Sequence, residues 1–379
     1  MSAPSKPEIS PRLIFFLALL GPPGALAAGG LESPGLVSGP ASCSTSGCHG
    51  GASESSRQFA VWSQRDVHTR AYATLTNARS ARMAEALQLG RPAENSTCTA
   101  CHAPLQTVAP ALRAADAHVE DGVACASCHG TGDSWLRSHT RPDWTHADRV
   151  AAGMSDVRHL YGRANSCVAC HQNIDPRLVT VGKHPALIFE LDGQSVAEPK
   201  HWREPATAHG AQAWFVGQAV ALREMSSALA HDRGEPGQAL PRWAGLHWVL
   251  QHCALDENFS AAAAAPDAAG FAAVLAASDS AARRAADLAW SHDLTKTLLK
   301  KLAATHAAFL DSSIGRLEHA RRAERLVLAL DRLLASLPAA ARPAGAQAPL
   351  DSLFSLAQSA PDFAPADFAR ELAAFERAL

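Results

Sequence analysis

At 379 residues the chain is long enough for one large or two ordinary domains, and its 34 basic and 36 acidic side chains leave no basic field over the whole molecule. That balance excludes a general nucleic-acid binder. Eighteen histidines against two tyrosines, with nine cysteines, suit metal ligation instead.

The first expected element is a leader. Lys6 and Arg12 precede the apolar run 13–20, Pro22 and Pro23 end it, and Ala25-Leu26-Ala27 is a small-residue cleavage pattern. The run is too short to span a bilayer, so residues 1–28 read as a secretory signal, with an uncleaved anchor as the other reading. Export would place the mature chain in the periplasm.

Residues 29–204 carry the chemistry. Three C-x-x-C-H motifs occur in order: Cys98-Thr-Ala-Cys101-His102, Cys125-Ala-Ser-Cys128-His129 and Cys167-Val-Ala-Cys170-His171. Ahead of them stands a longer variant, Cys43-Ser-Thr-Ser-Gly-Cys48-His49. Two thiols about one turn apart can each form a thioether with a vinyl group of one porphyrin, and the histidine that follows is held beneath the ring to bind iron. Zinc knuckles and disulfides also use paired cysteines. Neither requires a histidine directly after every second cysteine. The implied cofactors are four covalently bound haems c. Cys253, beside His252, is left over: a reactive thiol, the remnant of another site, or a buried apolar cysteine.

A haem with one protein ligand leaves its opposite face open, and the sixth ligand decides its chemistry. Beyond the initiator only Met83, Met154 and Met225 are available, so a second histidine is the expected ligand. His68, His139 and His184 follow the motifs most suggestively, with His118, His146, His159, His201 and His209 also at hand.

Beyond residue 205 the chain turns rich in alanine and leucine. The spacing predicts a helix over 211–229, with Phe215, Ala219, Leu222 and Met225 on its apolar side. Longer amphipathic helices are predicted over 281–310 and 316–337, carrying Leu298, Leu302, Leu326, Leu330 and Leu333. The alanine run 261–265 reads as a loop or frayed end, 338–349 as a linker, and 365–379 as a last helix that tolerates proline in its first turn. The expected class is mainly α: signal peptide 1–28, a multihaem cytochrome c domain over 29–204 with short helices around stacked haems, an α-helical domain over 205–337, and a linker with a closing helix over 338–379.

The chain resembles the tetrahaem cytochrome c-554 family, relatives of the hydroxylamine oxidoreductase and nitrite reductase group. The resemblance rests on Gly122-Val123-Ala-Cys125-Ala-Ser-Cys128-His129-Gly130, on 135–140, on Asn165-Ser-Cys167-Val-Ala-Cys170-His171, and on Gly182-Lys-His184-Pro185 followed by His201-Trp202. It covers roughly residues 40–225. It implies closely stacked haem pairs with ligands crossing between motifs: His68 capping the haem at Cys125 and Cys128, His139 the one at Cys167 and Cys170, and His184 the one at Cys43 and Cys48. The haem at Cys98 and Cys101 is left without an obvious sixth ligand, a gap that His118 or His146 could fill. Three features depart from the family pattern: the longer first motif, a helical half without a close counterpart in the smallest members, and only His252-Cys253 where some longer relatives carry an additional haem motif.

The function these readings imply is electron transfer between periplasmic or membrane-bound redox proteins. The rival is an oxidoreductase acting on a small nitrogen compound at a five-coordinate haem, with His118, Asp116 and Glu120 as local acid–base groups. The helical half would serve for docking or homo-oligomer formation, or as a plain structural buttress.

Overall fold

Short polar caps and frequent prolines break the first half into brief helical turns. The Asn77 side chain accepts from the Ser80 backbone N–H at 2.9 Å, that of Asn95 from Thr97 at 2.9 Å, and that of Asp175 from Arg177 at 2.9 Å. Each cap starts a helix of five to nine residues. The structure is a computed structural model and describes residues 35–205, 209–231, 236–253, 255, 267–359 and 362–379. The leader and the 261–265 alanine run lie outside the described residues. Among the described residues β pairing is confined to Val37, which bridges Arg113 and Gly132. The chain is mainly α, as expected.

The second half is built around one long helix, Gly210–Ala230. It is buried on nearly every side, including Phe215, Ala219, Leu222 and Met225. The helices Pro236–Cys253, Ala268–Asp287 and Arg316–Ala335 pack against it. Leu298, Leu302, Leu326, Leu330 and Leu333 are all buried in the same core. Cys253 is buried there too, which answers the open question about its surroundings, and burial pushes its thiol up to about 12.

Two expectations change, and one helix is additional to them. The single helix expected over 281–310 is three elements: Ala268–Asp287, His292–Ala303 and the 3-10 segment Ala304–Leu310. The break falls where Ser291 caps a new start, accepting from Leu294 at 3.1 Å, while the Trp290 indole donates to Thr295 at 2.9 Å. A further helix, Gln347–Ala357, begins inside the expected linker because Leu350 and Leu353 have a core to enter. Pro236–Cys253 is helical despite Pro241, held by the burial of Trp243, Leu246, Val249 and Leu250.

The core also reaches back across residue 204. Ala164 and Val168 of the helix Leu160–His171, together with Phe189 and Leu191, belong to the same hydrophobic cluster as Gly210–Ala230. The helix that ends in the fourth motif is therefore packed against the helical half.

His247 lies in this core, 6 % exposed and stacked on Trp243 with ring centres 5.1 Å apart. Burial pushes its pKa down to about 4. The folded chain keeps it neutral where the unfolded chain protonates it, so its contribution to stability is complete above the ordinary histidine pKa of about 6.5 and drains away as pH falls towards 4. The loss by pH 4 is on the order of 3 kcal/mol. Thermal melts between pH 7 and 4 should show that slope, and His247→Leu should flatten it; an equally steep slope in the variant would assign it to other groups.

Candidate haem-ligand centre

Three of the four motifs close a helix. Cys98–His102 ends Ser96–His102, Cys125–His129 is itself a helix, and Cys167–His171 ends Leu160–His171. Cysteines three apart then share one helical face, with the histidine one residue on. Gly130 stops the helix Cys125–His129 in a left-handed conformation, φ 90°, where a side chain would meet the Gly153 carbonyl. The long motif forms hydrogen-bonded turns instead: the His49 N–H donates to the Cys43 carbonyl at 3.2 Å and that of Cys48 to Thr45 at 2.9 Å. Asp116 anchors the stretch just before it, accepting from the Ser42 N–H and hydroxyl at 2.8 and 2.7 Å and from the Gly39 N–H at 3.2 Å. These hydrogen bonds hold its carboxyl below the usual range. Asp116 is a structural clasp.

Every motif histidine faces a second histidine at nearly the same separation. Ring centres are 6.1 Å apart for His49 and His139, 6.1 Å for His68 and His171, 6.3 Å for His102 and His184, and 6.3 Å for His129 and His201. A metal–imidazole bond of about 2 Å on each side, with each ring centre about 1 Å beyond its nitrogen, places two rings across one iron ~6 Å apart. The first pair is nearly parallel, at 15°; the others cross at 86°, 69° and 71°.

The remaining ring nitrogens are largely committed elsewhere. Nδ1 of His49 meets Gln58 at 3.1 Å, that of His68 meets Asp66 at 2.9 Å, and that of His102 meets Thr74 at 3.0 Å. His139 Nδ1 meets the Leu136 carbonyl at 2.6 Å and His184 Nδ1 the Pro185 carbonyl at 2.8 Å. His171 Nδ1 lies 3.3 Å from the Gln194 amide nitrogen, while the Gln194 amide oxygen is buried without a partner. Exchanging those two amide atoms would let the oxygen accept from an Nδ1–H and satisfy both groups. Such contacts fix ring orientation and leave Nε2 for a metal. Burial holds His102, His129 and His171 towards the neutral, ligating form, His129 down to about 4. Val67, next to His68 in the chain, and Ile188, four residues after His184, are exposed apolar side chains, 64 % and 50 %. The residues fit haem.

The pairing differs from the one the resemblance implied. His68 faces His171, His139 faces His49, and His184 faces His102. The backbone explains the first change. The His68 carbonyl accepts from Val123 at 3.1 Å, beside the third motif, where Gly122 at φ 67° leaves no room for a side chain. The ring meanwhile turns towards the fourth motif. His201 completes the set opposite His129, outside the three favoured candidates. Its signal was Trp202, which stands edge-on to the imidazole at 5.2 Å, as Trp135 does to His139 at 5.4 Å. The other histidines have different roles: His146 contacts Asp156 at 3.0 Å, His159 contacts Asp287 at 2.9 Å, and His209 packs on His292. Residue 118 caps the short turn Val119–Asp121, so neither His118 nor His146 faces His102.

The thiols also meet between motifs. Cys43 sits against Cys125 and Cys101 against Cys170, while Cys128 lies near Cys167. The motifs thus follow one another in space as first, third, fourth, second.

Residues 42–130 match the family profile described as cytochrome c554 and c-prime. The match supports the cytochrome c554 family for this stretch. The match implies covalently bound haem c, and it covers the first three motifs, not the fourth or the helical half. Comparison with curated proteins and with solved structures gives no match. No helix among the described residues is long and apolar enough to cross a membrane.

Proposed function

We propose that this cytochrome c554 relative carries electrons between redox proteins of the periplasm, using four haems c each held by two cysteines and two histidines. The observation that carries the reading is the set of four imidazole pairs, all with ring centres 6.1–6.3 Å apart. Cys43, Cys48 and His49 with His139 would hold the first haem, and Cys98, Cys101 and His102 with His184 the second. Cys125, Cys128 and His129 with His201 would hold the third, and Cys167, Cys170 and His171 with His68 the fourth. Bound haem supplies one-electron chemistry at iron, at a potential set by axial ligands, their hydrogen bonds and burial. The chain's part is to fix both rings of each pair and to bring the four motifs together in one series. Periplasmic residence rests on the leader pattern of residues 1–28.

The oxidoreductase reading needs an open iron, and Cys98–His102 was its place. His184 facing His102 counts against it. The test is a pyridine haemochrome assay with intact mass, on protein matured in a host competent for cytochrome c. Four haems are expected, and Cys43→Ala should lower the yield of fully loaded protein. Two haems or fewer in the wild-type chain would overturn the reading.

A further inference from the structure

Where the fourth motif meets the helical half, the structure buries a group of charges with incomplete hydrogen bonding. Glu190 precedes the helix Leu191–Ala197 and Asp192 lies in its first turn; Arg325 and Arg332 face them from Arg316–Ala335. The contacts are loose: 3.5 Å from Arg325 Nη1 to Glu190, and 3.2 Å from Arg332 Nε to Asp192. Glu190 Oε2, Asp192 Oδ1, Arg325 Nη1 and Arg332 Nε are all buried without a hydrogen-bond partner. A buried carboxylate in that condition gains little from its charge and much from a proton.

This group adjoins a ligand histidine without touching it. The Glu190 carbonyl accepts from the Gln194 N–H at 2.8 Å, and the Gln194 side chain reaches His171 Nδ1. Glu190 therefore sits one helical turn from the group that orients the fourth motif's imidazole.

We propose that Glu190 is a redox-linked proton site: when the iron bound by His171 and His68 gains an electron from a partner protein, the Glu190 carboxylate takes one proton from solvent and becomes a carboxylic acid, and reoxidation releases it. The ferric ion becomes ferrous, one carboxylate becomes neutral, and the charge of the region is unchanged. The inference rests on the haem reading above and deepens it, since it makes the carrier move a proton with its electron.

The surroundings leave Glu190 poised. Asp192 on its own segment opposes its charge, Arg325 and Arg332 favour it, and Gln218 reaches it from Gly210–Ala230. Beyond these, Glu324, Arg321 and Arg242 surround Arg325, and Asp331 lies near Asp192. Four acidic groups (Glu190, Asp192, Glu324 and Asp331) thus stand against four arginines, and no net charge locks the carboxyl in one state. Burial outweighs the arginines and pushes Glu190 up to about 7, where a nearby electron can tip it.

The experiment is a spectroelectrochemical titration of the haem-loaded protein between pH 6 and 8. One midpoint potential should fall as pH rises, by up to ~59 mV for each tenfold drop in proton activity, the one-electron limit. Glu190→Gln should abolish that slope, and Asp192→Asn should keep it. A slope that survives in Glu190→Gln assigns the proton to haem propionates or to another carboxyl group and overturns the proposal, as does a wild type with no slope. Should Glu190→Gln fail to fold, infrared difference spectra of the wild type decide: a deuterium-sensitive carboxylic acid band must appear on reduction, and its absence sinks the idea. A low haem count would signal failure of the haem reading itself, since full loading with flat potentials removes only the proton site.

Discussion

Replacing His139 by alanine is expected to turn one ferric iron from low to high spin and to erase one particular low-spin signal. The His49–His139 pair alone has nearly parallel rings, at 15°, while the other three cross at 69° to 86°. Parallel imidazole planes split two iron d orbitals, whereas crossed planes leave them close in energy, giving a much more anisotropic resonance. The wild-type electron paramagnetic resonance spectrum should then show one signal of the first kind, three of the second and no high-spin iron. His139→Ala should lose the first kind, and His201→Ala should lose one of the second. In each variant the opened iron should bind about one carbon monoxide per chain on reduction, since an empty sixth position admits small ligands. The pairing implied by the family resemblance gives a different result: His139 would serve the fourth motif, and His201 would serve none. A His201→Ala protein with every iron still low-spin would overturn the pairing described here.

That contrast shows what was legible in the sequence. The motif cysteines and histidines are set by local geometry, because two thiols and an imidazole within five to seven residues need no distant partner. Distal ligands are a property of the folded path. His68 is close in backbone to the third motif and directs its ring at the fourth; Asp66, two residues before it, holds the ring, but which motif lies opposite depends on the folded path. His201 lies thirty residues beyond the last motif, and only the edge-on Trp202 beside it echoed the Trp135–His139 pattern. In the helical half, periodicity found Gly210–Ala230 and Arg316–Ala335 closely. It ran through the Ser291 cap because alanine- and leucine-rich sequence continues on both sides of it. The chain's division at 204 was read from composition, and composition does not register that Ala164 and Val168 pack into the later core.

The joint made by that packing also depends on one buried arginine. Arg223, with a side chain only 9 % exposed, uses all five of its N–H donors. Nε and Nη2 hold Glu224 at 2.9 and 2.7 Å, Nη1 holds Asp279 at 2.7 Å and the Tyr161 hydroxyl at 3.1 Å, and Nη2 also reaches Asn165 at 2.6 Å. Tyr161 in turn donates to Asp279 at 2.6 Å, and Arg283 lies over its ring. Tyr161 and Asn165 belong to the helix that ends in Cys167–His171, so one guanidinium ties the fourth motif to Gly210–Ala230 and Ala268–Asp287. Arg223→Met is expected to cost about 3–5 kcal/mol, because it leaves the buried Glu224 carboxylate without its cation. Adding Glu224→Gln and Asp279→Asn should return most of that loss, since a neutral set has no stranded charge. Denaturant unfolding followed by helix signal and by haem absorbance measures both. A loss below about 1 kcal/mol in Arg223→Met would reduce the network to the rank of a surface ion pair. The fourth motif would then owe its position mainly to apolar packing, Ala164 and Val168 foremost.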